Sequence, residues 1–103
     1  MIMFIYNITT KVDHTILNEW IQWQKEIQIP EIMATGLFAE NKFYQLLGHD
    51  DEGGKNFVIQ FVANNRADYD TYAEQFAPQL QKKAFVKWGD KTVSFRTLLQ
   101  NVQ

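Results

Sequence analysis

The chain has no cysteine, two prolines, one serine and no run of roughly eighteen apolar residues. Without thiols there is no disulfide framework, no thiolate nucleophile and no cysteine-ligated zinc. The single serine, Ser94, lies in a strand-like stretch and not in a Gly-x-Ser-x-Gly turn, so a serine nucleophile elbow is absent. No glycine-rich phosphate loop occurs, since Gly53-Gly54 reads as a hairpin turn. The lack of long apolar runs leaves no membrane span. The opening Met1–Asn7 has neither the basic region nor the apolar length of an export signal. The expected setting is therefore cytoplasmic, away from membranes. Charge of one sign is also lacking: ten basic and twelve acidic residues leave a formal −2, which gives no electrostatic case for nucleic acid. Lys82, Lys83 and Lys87 form the one basic concentration and suit the carboxyl end of a helix. No cofactor motif is found, and no cofactor is expected.

What is present is apolar and aromatic. Hydrophobic residues make up 46 % and aromatics 15 % of the 103 residues, enough to exclude disorder and to build one core. Residues 1–103 therefore read as a single domain.

Ile2 to Thr10 is β-branched and aromatic and reads as a strand with apolar residues on both faces. Asp13 can cap a helix reaching about Ile27, with Ile16, Trp20, Trp23 and Ile27 in one stripe and Gln22, Gln24, Lys25 and Glu26 on the wetter side. Pro30 argues for a break and a new short helix over Glu31–Thr35, closed by Gly36. Leu37–Leu47 forms a second strand, His49–Lys55 a hairpin loop, and Phe57–Ala63 a third strand. Ala67–Trp88 is helical, with Pro78 kinking it or starting its second half, and Gly89 stops it. Lys91–Leu99 is the last strand. The order β-α-β-β-α-β predicts an α+β, ferredoxin-like domain. Its four-stranded antiparallel sheet would have order 4-1-3-2, with both helices on one face.

Two helices cover one side of such a sheet. If Phe4, Tyr6, Phe57, Ile59, Phe61, Val93 and Phe95 meet them, the other side carries Ile5, Asn7, Val58, Gln60, Val62, Arg96 and Leu98. That apolar area calls for a cover, and the simplest is the same face of a second copy, giving a homodimer of the dimeric α/β barrel kind. Asn7, Gln60 and Arg96 would then face the interior, where arginine needs an anion: Glu40, another local carboxylate, or a small organic or anionic ligand. The competing reading leaves Arg96 at the sheet edge with its head in water.

Trp20 and Trp23, with Trp88, could form a stacking wall for a planar ligand, although their helical spacing favours core packing. Tyr69 and Tyr72 carry the same two readings. His14 and His49 belong to no ligand pair or nucleophile motif. His49-Asp50-Asp51-Glu52 has a metal-like composition without the alternate spacing of a calcium loop and reads as a solvated turn. No metal site and no catalytic set is expected.

Several stretches together carry a family likeness: Trp20-x-x-Trp23, Ile29-Pro30, Ala34-Thr35-Gly36-Leu37-Phe38, Phe76-Ala77-Pro78-x-Leu80, Gly89-Asp90-Lys91 and Phe95-Arg96-Thr97-Leu98-Leu99. With these the chain resembles the bacterial family of domain of unknown function 4286, common among Bacteroidetes, over nearly its whole length. The resemblance implies a small ferredoxin-like protein and brings no established activity, cofactor or catalytic residue. Members often have a histidine before the Ile-Pro pair; here that place is Gln28. More loosely, Asn7 and the tryptophans resemble the haem-degrading enzymes of the dimeric barrel superfamily, which also holds antibiotic-biosynthesis monooxygenases. The iron-ligating histidine of those enzymes has no counterpart here.

Three functions fit this reading. The first is a non-enzymatic homodimeric module binding a small organic ligand or a partner protein, with Asn7, Gln60, Arg96, Trp20 and Trp23 as candidate binding residues. The second is a cofactor-independent oxygenase or isomerase of the dimeric barrel type. The third is a purely structural or regulatory dimer.

Overall fold

The computed structural model describes residues 1–48 and 52–103. Strand β1 (Phe4–Asp13) leads through a 3-10 turn (His14–Ile16) into helix α1 (Leu17–Trp23), a π-turn (Gln24–Gln28) and helix α2 (Ile29–Ala34). Strands β2 (Glu40–Leu46) and β3 (Gly54–Ala63) follow. Helices α3 (Arg66–Gln75) and α4 (Ala77–Trp88), a 3-10 turn (Gly89–Lys91) and strand β4 (Thr92–Gln100) complete the chain. The sheet order is β2-β3-β1-β4 with every pair antiparallel, the expected 4-1-3-2 read from the other edge. The ferredoxin-like α+β arrangement is thus observed. Among the described residues no helix is long and apolar enough to cross a membrane.

The helices pack on the face carrying Tyr6, Phe57, Ile59 and Phe61, where a continuous aromatic core forms. Trp20 lies 5.2 Å from Phe57 and edge-on to Phe43 at 5.8 Å. Tyr72 packs edge-on to Phe38 at 5.0 Å, and Phe38 meets Phe61 at 5.4 Å. Phe38 therefore belongs to a buried connector and not to a strand, and β2 starts at Glu40 where Leu37 was expected. Phe61, Ile32 and Val12 are fully enclosed, each stabilising the fold by about 1.5–3 kcal/mol through burial.

The first helical segment departs from expectation. Pro30 does not break it: the backbone stays right-handed helical from Trp23 to Ile29, and Pro30 opens α2. Proline lacks the N–H that an α-turn would need. The Ile29 N–H reaches back five residues to the Gln24 carbonyl, and this wider turn carries the axis across the proline. Pro78, by contrast, starts α4 after a kink at Phe76, as the sequence suggested. Gly89 ends α4 at φ +58°, a conformation that favours glycine. Of the expected His49–Lys55 loop, His49, Asp50 and Asp51 lie outside the described residues, so the reading of that cluster as a solvated turn does too.

The faces of β4 are the reverse of those expected. Cross-strand partners share a face, and β1 pairs Ile8 with Arg96, Thr10 with Ser94 and Val12 with Thr92. Arg96 and Leu98 therefore lie on the helix side, while Val93, Phe95, Thr97 and Leu99 lie on the open side. The expectation took apolarity as the mark of the core face. Here Val93 is 53 % and Phe95 69 % exposed, and the inward positions Thr92, Ser94 and Arg96 are polar.

Candidate functional site

The helix-covered side of the sheet is aromatic at its centre and polar toward β4. Thr10, 3 % exposed, shares a 2.8 Å hydroxyl–hydroxyl hydrogen bond with Ser94 across the β1–β4 pair. Facing them are Trp20, Gln24, Gln28 and Ile32, which all line one cavity of about 50 Å³. In a uniform α-helix each four-residue step overshoots a full turn by about 40°, so four such positions would fan around the axis. The wider π-turn takes up part of that drift and keeps the two glutamine side chains over the sheet. The helix side of Gln24 assigned from the sequence is thereby corrected: the residue is 8 % exposed and points into the protein.

Trp88, the last residue of α4, closes the cavity. It is 8 % exposed, stands edge-on to Trp23 at 5.8 Å, and carries the Lys87 ammonium 5.0 Å from its ring centre. Two residues of this lining carry a buried polar atom with no hydrogen-bond partner among the described residues: Gln28 Oε1, an acceptor, and Trp88 Nε1, a donor. Each such atom costs on the order of 1–3 kcal/mol when left unpaired. The cavity is large enough for about three waters or a head group of comparable size.

Arg96 stands where the inner cavity meets the surface. It also lines an outer cleft of about 380 Å³ with Gln81, Phe85 and Asp90, and a third cleft of about 130 Å³ against Tyr6, Tyr69 and Tyr72. Burial pushes the Tyr6 hydroxyl above its ordinary pKa, and the side chains of Arg96 and Gln81 pull it part of the way back. Burial also raises Tyr72, well beyond the usual phenol range. Both phenols are neutral donors at neutral pH. Among the described residues the inner cavity is lined by no carboxylate, imidazole or thiol. The inner cavity can hold a molecule by hydrogen bonds and one cation, and the adjoining outer cleft adds the Asp90 carboxylate.

The five binding candidates fall into separate groups. Asn7 and Gln60 are direct cross-strand partners on the open face, where Gln60 Nε2 donates to Asn7 Oδ1 at 3.1 Å. Arg96 lies on the opposite face, so the expected Asn7–Gln60–Arg96 cluster is not assembled; the β4 register separates it. Trp20 is in the core and lines the inner cavity with Arg96. Trp23 is also in the core, where it backs Trp88. Sequence reasoning did not find Gln24, Gln28, Thr10 and Ser94 as one group. The available signal was the four-residue spacing Trp20, Gln24, Gln28, Ile32 ahead of a proline.

The chain is a ferredoxin-like α+β domain with a small cavity of mixed polar and apolar lining between its helices and the edge of its sheet. The family model for the domain of unknown function (DUF4286) matches residues 3–102, and the chain belongs to that family. No curated protein matches it. Among solved structures it is similar to a dimeric ferredoxin-like protein from an uncultured marine organism. The TM-score is 0.75 at 9 % identity, covering 100 % of this chain and 98 % of that one. It is similar too to SnoaB, a cofactor-independent oxygenase from Streptomyces nogalater (TM-score 0.67, 13 % identity, 97 % and 94 % covered). A conserved protein of unknown function from Bacteroides thetaiotaomicron matches with TM-score 0.68 at 14 % identity, over 96 % and 97 % of the two chains. At these identities the likeness establishes the fold and leaves the chemistry to the residues.

Proposed function

We propose that the protein is a homodimeric module that binds a small organic molecule in the chamber between helices and sheet. The observation that carries this reading is the pair of buried unpartnered atoms, Gln28 Oε1 and Trp88 Nε1, on two residues that line one cavity. A donor and an acceptor on one lining can be satisfied together by a molecule that both accepts and donates. The site shifts from the inter-sheet space expected from the sequence to the helix side of each protomer. Thermal-shift titration with small amides and alcohols tests it. Stabilisation that disappears in Gln28→Leu supports the reading, and a melting temperature insensitive to every such compound overturns it.

The open sheet face is assigned to a second copy of the chain. Val93, Phe95, Leu99 and Tyr44 are each more than two-fifths exposed there, a larger apolar area than the sequence reading supposed. The polar pair in its middle is linked by the Gln60 Nε2 to Asn7 Oδ1 hydrogen bond, and Asn7 Nδ2 also donates to Thr9 Oγ1 at 3.4 Å, which lowers the cost of covering it. A solved structure of the same fold is described as dimeric. Sedimentation equilibrium at micromolar concentration should give twice the protomer mass.

A second reading, a cofactor-independent oxygenase, is favoured by the likeness to SnoaB over nearly the whole chain. Its chemistry would rest on positioning and electrostatics in the chamber. Oxygen uptake with an activated polyphenol, lost in a folded Arg96→Ala variant, supports it. No uptake, or uptake unchanged in that variant, overturns it.

A further inference from the structure

The proposed ligand site has a definable chemistry, and this step rests on the small-molecule reading above. The inner cavity and the outer cleft share Ala84, Thr92, Ser94 and Arg96 in their linings, so they adjoin along the helix side of β4. The inner space is small, about 50 Å³, and two of its lining residues, Gln28 and Trp88, carry a buried acceptor and a buried donor without a partner among the described residues. The outer space is larger, about 380 Å³, with Phe85 as an apolar wall. Arg96 lines both, and among the described residues no carboxylate lies within ion-pair distance of it. Asp90 lines only the outer cleft. A ligand anion is therefore best placed at the junction, where Arg96 is shared and Asp90 is not.

We infer that the two spaces form one binding site for a small organic anion with a neutral hydroxyl or amide head. The head enters the inner cavity, accepting from Trp88 Nε1 and donating to Gln28 Oε1. The apolar middle rests against Phe85, and the anionic group meets the Arg96 guanidinium. Arginine is suited to a carboxylate here because its planar donors engage both oxygens.

Three probes separate the parts: benzyl alcohol has the head alone, benzoate the anion alone, and 4-(hydroxymethyl)benzoate both. Binding is followed by the indole N–H signals of Trp20, Trp23 and Trp88 in nitrogen-labelled protein, with Trp88 assigned from Trp88→Phe. The expected result is a shift of the Trp88 signal by both hydroxyl-bearing probes, with 4-(hydroxymethyl)benzoate binding about tenfold or more tighter than either of the others. Arg96→Gln should abolish that gain and leave benzyl alcohol unchanged; Arg96→Lys, which keeps the charge and guards against misfolding, should keep part of it. If benzyl alcohol shifts Trp88 but the carboxylate adds nothing, the anionic assignment is overturned and the small-molecule reading stands. If benzoate binds as tightly as 4-(hydroxymethyl)benzoate, the head-group assignment is overturned. If no probe moves the Trp88 signal at millimolar concentration, both readings are lost.

Discussion

Strands β3 and β4 lie in the same sheet and divide their side chains in opposite ways. β3 sends Phe57, Ile59 and Phe61 to the helices and sets Gln60 among the residues of the open face, the ordinary pattern of a strand with one buried side. β4 sends Thr92, Ser94 and Arg96 to the helices and Val93, Phe95 and Leu99 to the open face. Sheet position separates them: β3 is an inner strand between β2 and β1, whereas β4 is an edge strand paired only with β1. They also differ in what each covers. β3 lies under the aromatic core, whereas β4 borders the inner cavity with Thr92, Ser94 and Arg96 and presents an apolar outward face. One inverted strand thus supplies both features on which the functional reading rests.

The contrast can be broken by truncating one ring on each strand. Phe61→Ala, at a fully buried β3 position, should cost about 3–5 kcal/mol in urea unfolding. Phe95→Ala, on the outward side of β4, should change protomer stability by no more than about 0.5 kcal/mol in dilute protein. Comparable losses from the two would mean that Phe95 is covered within the protomer. Phe95→Glu sharpens the point, since a charge on the open face should leave the secondary structure intact and shift sedimentation toward the protomer mass. A stable dimer in that variant would remove the open face as the interface.

The inward side of β4 is tested by its hydroxyls. Thr10→Val strands the Ser94 hydroxyl in a part-buried place and should cost on the order of 1–3 kcal/mol. Adding Ser94→Ala should return part of that loss, because no partner is then left unpaired. Strictly additive losses, read from denaturation midpoints, would show that the hydroxyl pair does not hold β4 in this register.

The same contrast explains what could be read from the sequence. The faces of β3 are legible because Phe57, Ile59 and Phe61 are large and apolar and alternate with Gln60, whereas β1 is apolar on both faces and its inward side follows from its pairing with β3. β4 was misread by that logic: Val93 and Phe95 look like core residues, and only the pairing of Thr10 with Ser94 shows that they are not. The glutamines were hidden for a different reason. Gln24 falls on the wet side of an α-helix of 3.6 residues per turn, and the π-turn that brings it inward changes that count. Gln28 stands before the Ile29-Pro30 pair, and the sequence offers no geometry to say what it touches.

A smaller effect separates the two buried phenols according to their distance from β4. Tyr6 pairs across to Leu98, next-but-one to Arg96, and has the guanidinium beside its hydroxyl. Tyr72 lies on α3 and is held neutral by burial foremost. Both have folded pKa values above the ordinary 10.0, so the folded state keeps protons that the unfolded chain releases. Their contribution is therefore fully present below about pH 10 and is lost as pH rises through the folded values. Stability from urea midpoints should be flat with respect to these groups up to about pH 9 and should fall above about pH 10. Arg96→Gln removes a group that pulls the Tyr6 value down, so the alkaline fall should continue to higher pH in that variant while the neutral-pH baseline moves little through this route. A Tyr6 titration unchanged by Arg96→Gln, followed by phenolate absorbance with Tyr72→Phe as background, would show that the guanidinium turns outward in solution. Arg96 would then no longer link the polar side of β4 to the chamber.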